Sequence, residues 1–268
     1  FDVKVDPDTG KKKPVYRWNF EELTDLVRLG MSGNLANISL NTYSQGLILG
    51  SQLNYGGQPG AGYALDPQET IQYVSAHDNY TLWDQILAKT PLETTDLTIR
   101  QRVRMQLIAL ATVSFSQGIP FFHAGSEMLR SKSGDGDSYN AGDYFNRLDY
   151  SYKSNNWGVG LPSKEKNFKE WNYWIPRLRS KDLRVDRKLI RFSVDEFIKQ
   201  IKVRKSYKTL RQENSQSIIK KLKFLNAERG QQRIPGLIVA HYAGAMPLIV
   251  IFNPLNKSVE FRNSVFSK

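Results

Sequence analysis

Apolar positions along this chain follow two different periods, and each change of period marks an element. From Asn19 to Met31 the apolar residues Phe20, Leu23, Leu26 and Val27 recur at helical spacing and predict a helix. Before it, residues 1–18 are polar and turn-rich, with Asp6-Pro7-Asp8-Thr9-Gly10 followed by three lysines, and read as a surface loop. After it come about 30 residues rich in Gly, Asn and Ser, ending in Tyr55-Gly56-Gly57-Gln58-Pro59-Gly60, which predict a long irregular loop. Thr70 to Ser75 reads as a short buried strand and Leu82 to Ala88 as a short helix. A stronger helix is predicted from Asp96 to Ser116, with Leu97, Val103, Leu107, Leu110 and Ala111 on a wide apolar face. Gln117-Gly118 ends it, and Ile119-Pro120-Phe121-Phe122 is a second short strand. Strand, helix and strand in this order imply a parallel sheet.

The next 50 or so residues are loop-like and rich in Asp, Asn, Ser, Tyr and Trp. Ser193 and Glu196 form a capping-box pattern, with Val194, Phe197, Ile198 and Ile201 following at i, i+3, i+4 and i+7. From about Ser217 the character turns to β, with Leu237–Ala240 and Leu248–Phe252 as strand runs joined by a Gly-containing turn. This tail is expected to form a small antiparallel domain.

Composition narrows the function less than the pattern does. The chain has 268 residues, no cysteine and three histidines, so thiol chemistry and cysteine metal sites are excluded. No run of about 18 apolar residues occurs, so no membrane-spanning helix is expected. The formal net charge of +12 raises nucleic acid as a partner. Between Arg177 and Lys223, however, 16 Lys and Arg face 5 Asp and Glu, so nearly all of the excess lies in one stretch. A solvated helix surface accounts for it, and no nucleic-acid-binding signature accompanies it. The alternative, a nucleic-acid binder built on that stretch, requires salt-dependent binding of short DNA or RNA.

The candidate chemistry follows the two short strands. His77-Asp78-Asn79 ends the first, and a segment opening at His123 ends the second. In a parallel α/β barrel, catalytic groups sit at the C-terminal ends of strands. An Asp after a strand is equally a helix cap, and the local pattern alone leaves both readings open.

The wording of these segments adds to their spacing. Tyr73-Val74-Ser75-Ala76-His77-Asp78-Asn79 resembles the fourth conserved motif of the α-amylase superfamily in its pullulanase and limit-dextrinase form. Gln117 through Ser133, Asp137-Ser138-Tyr139-Asn140, Gly142 through Arg147 and Asn155 through Gly160 continue that resemblance, as does Leu29 through Leu35. It runs from about Asn19 to Asn167 and weakens over the basic stretch. The fold it implies is α/β: residues 1–212 as the C-terminal part of a (β/α)8 TIM barrel, and 213–268 as the start of a small antiparallel β domain.

The activity it implies is retaining hydrolysis of α-1,6-glucosidic branch linkages in pullulan, amylopectin or limit dextrins. Asp78 takes the place of the family's third carboxylate, which stabilises the transition state, with His77 beside it and Asn79 in the same motif. Asp143 and Arg147 match the pair that holds glucose on the non-reducing side of the cut; the plain alternative is a surface ion pair. Trp83, Tyr139, Tyr144 and Trp157 could stack on sugar faces or simply pack. Glu127 is expected to hold the loop by hydrogen bonds. No cofactor is required. Calcium occurs in many relatives, and Asp135 and Asp137 could hold a cation, although two carboxylates do not establish a calcium site.

In the family, nucleophile and acid/base lie at the ends of the fourth and fifth barrel strands. The roughly 75 residues before His77 contain no counterpart of those motifs. The chain is therefore expected to be part of a longer protein, with an α-glucan substrate and an N-terminal barrel half as its partners. The alternative is a glucan-binding or regulatory remnant without hydrolytic activity.

Overall fold

The structure, a computed structural model, describes residues 2–5, 12–15, 19–95, 97–227 and 233–267. The chain opens with β1 (Asp2–Val5) paired antiparallel to β2 (Lys12–Val15). The expected loop over residues 1–18 is thus corrected to two paired strands, and the Asp6–Gly10 turn lies outside the described residues. Helix α1 (Phe20–Met31) follows, capped by Asn19, whose side chain accepts from the Glu22 N–H at 2.7 Å while the Glu22 carboxylate reaches back. The predicted irregular loop is instead two small hairpins, β3 (Ser39–Thr42) with β4 (Gly46–Leu49), and β5 (Asn54–Tyr55) with β6 (Gln58–Pro59). Polar, Gly-rich strands lack the apolar alternation by which strands are recognised.

Strand β7 (Ile71–Gln72) is shorter than expected. It is followed by α2 (Leu82–Lys89) and α3 (Ile99–Ser114), the latter begun by a Thr98–Gln101 capping box rather than at Asp96, which lies outside the described residues. Strand β8 (Ile119–Pro120) pairs with β7, the Ile119 N–H donating to the Thr70 carbonyl at 3.0 Å. Next come α4 (Asp143–Asn146), α5 (Lys164–Asn167), α6 (Trp171–Arg179) and α7 (Arg187–Ser206). Helix α7 starts two turns before the Ser193 box: Asp186 accepts from the Leu189 N–H at 2.8 Å, and Ser193 is buried in mid-helix. The chain closes with α8 (Ser215–Lys221) and the antiparallel sheet of β9 (Leu222–Phe224), β10 (Ile238–Tyr242) and β11 (Leu248–Phe252) in the order β11-β10-β9.

By spatial contact the chain forms two compact units that interleave along the sequence, whereas the expected partition cuts it once, at 212/213. The first unit comprises residues 1–72, 116–119 and 207–268. Its C-terminal sheet buries Leu225, Leu237 and Val239 in one cluster. Helix α1 turns an unexpected side inward: Asp25 and Arg28 pair at 3.1 Å with both side chains buried, while Phe20, Leu23 and Val27 are exposed. The Tyr43 N–H donates to the same Asp25 carboxylate, and burial pushes Asp25 up to about 6.

The second unit comprises residues 73–115 and 120–206. Its core joins Trp83 and Leu87 of α2, Val103 and Leu107 of α3, Ile190 and Val194 of α7, and Trp157 with Trp174. Each buried indole removes roughly 150–250 Å² from water, worth about 4–6 kcal/mol on the transfer scale. Helix α7 is also fastened to α3 by polar contacts: Gln200 donates to the Leu107 carbonyl at 3.1 Å and Arg204 to that of Ser114 at 3.0 Å. No helix among the described residues is long and apolar enough to cross a membrane.

Candidate active site

All the residues singled out for chemistry lie in the second unit. His77, Asp78 and Asn79 are exposed, just past β7. Asn79 sits in the left-handed region at φ 59°, which Asn tolerates better than most residues, and its N–H donates to Asp78 Oδ1 at 3.0 Å. The cap of α2 is Thr81, whose hydroxyl accepts from the Asp84 N–H at 3.1 Å. Asp78 is therefore not a helix cap. Its carboxylate faces outward, bonded only to the neighbouring N–H among the described residues.

The segment after β8 is built differently. His123 stands close enough to His77 for the two charges to influence each other, and Arg130 Nη1 donates to His123 Nε2 at 2.9 Å. Burial, with Arg130, Lys132 and His77 adding repulsion, holds His123 down to about 4, so the imidazole is neutral at pH 7. The Arg130 guanidinium also ties the carbonyls of Ala124 (3.1 Å) and Asn146 (3.2 Å). Beyond it, Leu129 (φ 61°) and Ser133 (φ 50°) adopt left-handed backbone that costs a non-glycine residue about 1 kcal/mol or more. Gly134 (φ 76°) follows them, and a Cβ there would lie 2.5 Å from the Trp174 ring.

Buried partners over-determine this backbone. Asp84 accepts from the Ser131 hydroxyl, from the Lys132 N–H at 2.8 Å and from the Gly134 N–H at 3.3 Å. Its burial raises the carboxyl above the usual range, and these three donors oppose the rise. From the other side, Asn155 Nδ2 donates to the Leu129 carbonyl at 2.8 Å and the Ser131 N–H to the Asn155 carbonyl at 2.8 Å. The Ser133 hydroxyl donates to the Asn156 carbonyl at 2.9 Å. Asn156 Nδ2 in turn satisfies the carbonyls of Tyr144 (3.1 Å) and Phe145 (3.2 Å), coupling the loop to α4.

Helix α4 and Arg147, the residue just past its end, place Asp143, Tyr144 and Arg147 around an open hollow of about 500 Å³, with Asn146 completing its wall. Asp143 and Arg147 are both exposed, and no ion pair joins them among the described residues. Tyr139 and Tyr144 are 84% and 61% exposed, whereas Trp83 and Trp157 are 0% and 7% exposed. The two tryptophans are thus corrected from candidate sugar platforms to core residues: Trp157 packs edge-to-face on Trp174, and neither indole face is open. Glu127 makes no side-chain hydrogen bond among the described residues, so the loop is held by Asp84, Arg130, Asn155 and Asn156 instead. Asp135 accepts from the Asp137 N–H (2.9 Å) and from Asn167 (3.2 Å), and Asp137 pairs with Lys166 at 2.8 Å. Among the described residues no group of three or more His, Cys, Asp or Glu is placed to hold a metal ion.

Parts of the chain are similar to known proteins. Residues 152–267 match the family described as alpha-1,6-glucosidases, pullulanase-type, C-terminal. The chain is 43% identical over 213 residues to pullulanase 1, chloroplastic, of Arabidopsis thaliana, covering 80% of this chain and 22% of that protein. It is 53% identical over 140 residues to pullulanase of Klebsiella aerogenes, covering 52% of this chain and 12% of that protein. The crystal structure of apo pullulanase from Klebsiella pneumoniae superposes with a TM-score of 0.80 at 36% identity, covering 87% of this chain and 26% of the other. Its maltotriose complex gives 0.78 at 36% identity, with coverage of 87% and 23%. In sequence and in its mixed helix and strand structure, the chain is similar to the C-terminal region of pullulanases. It spans about a fifth of the Arabidopsis relative's length.

Proposed function

We propose that this chain supplies the C-terminal part of an enzyme that hydrolyses α-1,6-glucosidic branch linkages in pullulan, amylopectin or glycogen-derived limit dextrins, with retention. In this reading residues 1–212 are the last part of a (β/α)8 barrel and 213–268 begin a small antiparallel β domain. The observation that carries it is the exposed, uncapping Asp78 at the end of β7 in a chain 43% identical to a pullulanase. The reaction passes through an oxocarbenium-like transition state in a distorted sugar ring. Asp78 and His77 bind sugar hydroxyls whose hydrogen bonds strengthen in that state, and such bonds raise turnover rather than affinity alone. Asn79 lines the same position. Asp143 and Arg147 hold a glucose unit at the α4 hollow, and Tyr139 and Tyr144 offer ring faces to it. A maltotriose complex of the Klebsiella pneumoniae pullulanase supports an α-glucan as the ligand. Nucleophile and acid/base come from residues outside this chain, and no cofactor takes part.

In the full-length native protein, Asp78→Asn is expected to lower pullulan hydrolysis by about 10²- to 10³-fold. The unfolding midpoint should not move, because the Asp78 carboxylate is bonded only to its neighbour's N–H. Turnover near that of the wild type would remove Asp78 from the mechanism. Wild-type protein that does not cleave pullulan or limit dextrin at all would end the debranching reading.

A further inference from the structure

One side chain of the segment after β7 is held where its neighbours are free. His77, Asp78 and Asn79 are exposed, whereas Tyr80, next along the chain, is half-buried and packs against the core of the second unit. Its ring meets that of Trp174 edge-to-face, with centroids 5.2 Å apart, and Trp174 is fully buried. A Cβ on Gly136 would lie 3.4 Å from the same ring, so the loop after β8 runs against it as well. The Tyr80 hydroxyl donates to the Glu170 carboxylate and accepts from Trp174 Nε1 at 3.3 Å. Ring and hydroxyl together fix the side-chain rotation, and with it the place of the Tyr80 backbone.

That backbone governs how Asp78 is presented. Its carboxylate is aimed by the Asn79 N–H, which donates to Oδ1 at 3.0 Å. Asn79 stands at φ 59°, a left-handed conformation that persists where the surrounding structure over-determines it. The fixed points on its C-terminal side are Tyr80 and the buried Thr81, which caps α2. The geometry points to Tyr80 as a positioning residue for Asp78: clamped by Glu170 and Trp174, it holds Asn79 in its left-handed turn, and the Asn79 N–H holds the carboxylate. A group that acts on the transition state has to be kept within about 0.5 Å of its productive place. An exposed carboxylate with one local hydrogen bond gains that precision from the backbone behind it. The inference rests on the debranching reading and adds to it Tyr80 and its partner Glu170, which act through the backbone rather than on the sugar.

The test is pullulan kinetics on the full-length native protein, with Tyr80→Phe, Glu170→Ala and Glu170→Gln each made alone and together with Asp78→Asn. Tyr80→Phe keeps the ring and removes the hydroxyl; it is expected to lower kcat about tenfold while KM changes less than about twofold. Glu170→Ala should give a loss of similar size, and the two together about the loss of either alone, because both break one hydrogen bond. Glu170→Gln keeps an acceptor for the hydroxyl and should stay within about twofold of wild type. In the Asp78→Asn background each loss should shrink below about twofold, because the group acted upon is gone. A kcat for Tyr80→Phe within about twofold of wild type overturns the inference. So does an equal loss in both backgrounds, which would mark the hydroxyl as purely structural. A raised KM at unchanged kcat for Glu170→Ala also overturns it, since Glu170 would then bind the sugar itself. Should Tyr80→Phe not fold, because the buried Trp174 N–H loses its partner, Glu170→Ala carries the same test from an exposed position. Wild-type protein inactive on pullulan would instead remove the debranching reading.

Discussion

The two segments that follow β7 and β8 solve opposite problems with similar residues. After β7, His77, Asp78 and Asn79 are exposed and linked by a single local hydrogen bond of 3.0 Å. After β8, Ser131, Lys132, Ser133 and Asp135 are 0–1% exposed and tied from both sides by Asp84, Asn155 and Asn156. Polar side chains offered to a ligand must stay accessible, so little of the fold's stability can depend on them. Polar side chains that hold strained backbone are buried, where each unmet donor or acceptor is costly. The contrast separates accessible polar groups from buried ones that hold the loop.

The sharpest way to break that separation is to truncate the gripping carboxylate. Asp84→Ala leaves the Ser131 hydroxyl and the Lys132 and Gly134 N–H groups unmet, together with a buried lysine short of one anion. Denaturant unfolding should show a loss of about 3–5 kcal/mol, against no measurable change for Asp78→Asn. A loss under about 1 kcal/mol would mean that the loop does not depend on Asp84.

A smaller effect is expected from Gly134→Ala. The new Cβ would meet the Trp174 ring at 2.5 Å in a backbone region that disfavours alanine. Overpacking and strain together predict about 2–3 kcal/mol, read by the same titration; a neutral result would show that the loop can shift.

The smallest effect is a pH dependence. His123 is held down to about 4, below the 6.5 of a free imidazole. Its contribution to stability is therefore complete above about pH 6.5 and is lost as the pH falls towards 4. Comparing melting temperatures at pH 7 and pH 4.5, the wild type should fall further than His123→Gln. Parallel curves would mean that His123 does not titrate with folding.

Much of this was legible in the linear chain. The helical period placed α1, α2 and α3 to within a few residues, because amphipathic spacing is a local property. The motif at His77-Asp78-Asn79 was visible as residues after a strand, and its position past β7 followed. The small hairpins at Ser39–Leu49 and Asn54–Pro59 were not visible: their strands are short, polar and Gly-rich, and their pairing rather than their pattern makes them strands. Ser193 looked like a cap, but the apolar face reaches back to Ile190, and the helix begins where Asp186 can serve its free N–H groups.

The sequence by itself determined that α1, α2 and α3 are helices and roughly where they run, since helical spacing depends on neighbours a few positions apart. Only the tertiary structure decided which polar residues stay exposed and which are buried to hold the loop. Asp84 reads as an ordinary acidic residue in the first turn of a helix, and Lys132 as one more lysine in a polar loop. Trp83 and Trp157 read equally as sugar platforms or packing residues until burial places them in the core. Burial and the left-handed backbone of Leu129 and Ser133 arise from contacts 20–50 positions apart, such as Asp84 with Gly134 (|i−j| 50) and Asn155 with Leu129 (|i−j| 26). Such contacts form only when the whole unit closes, so no local window of sequence contains them.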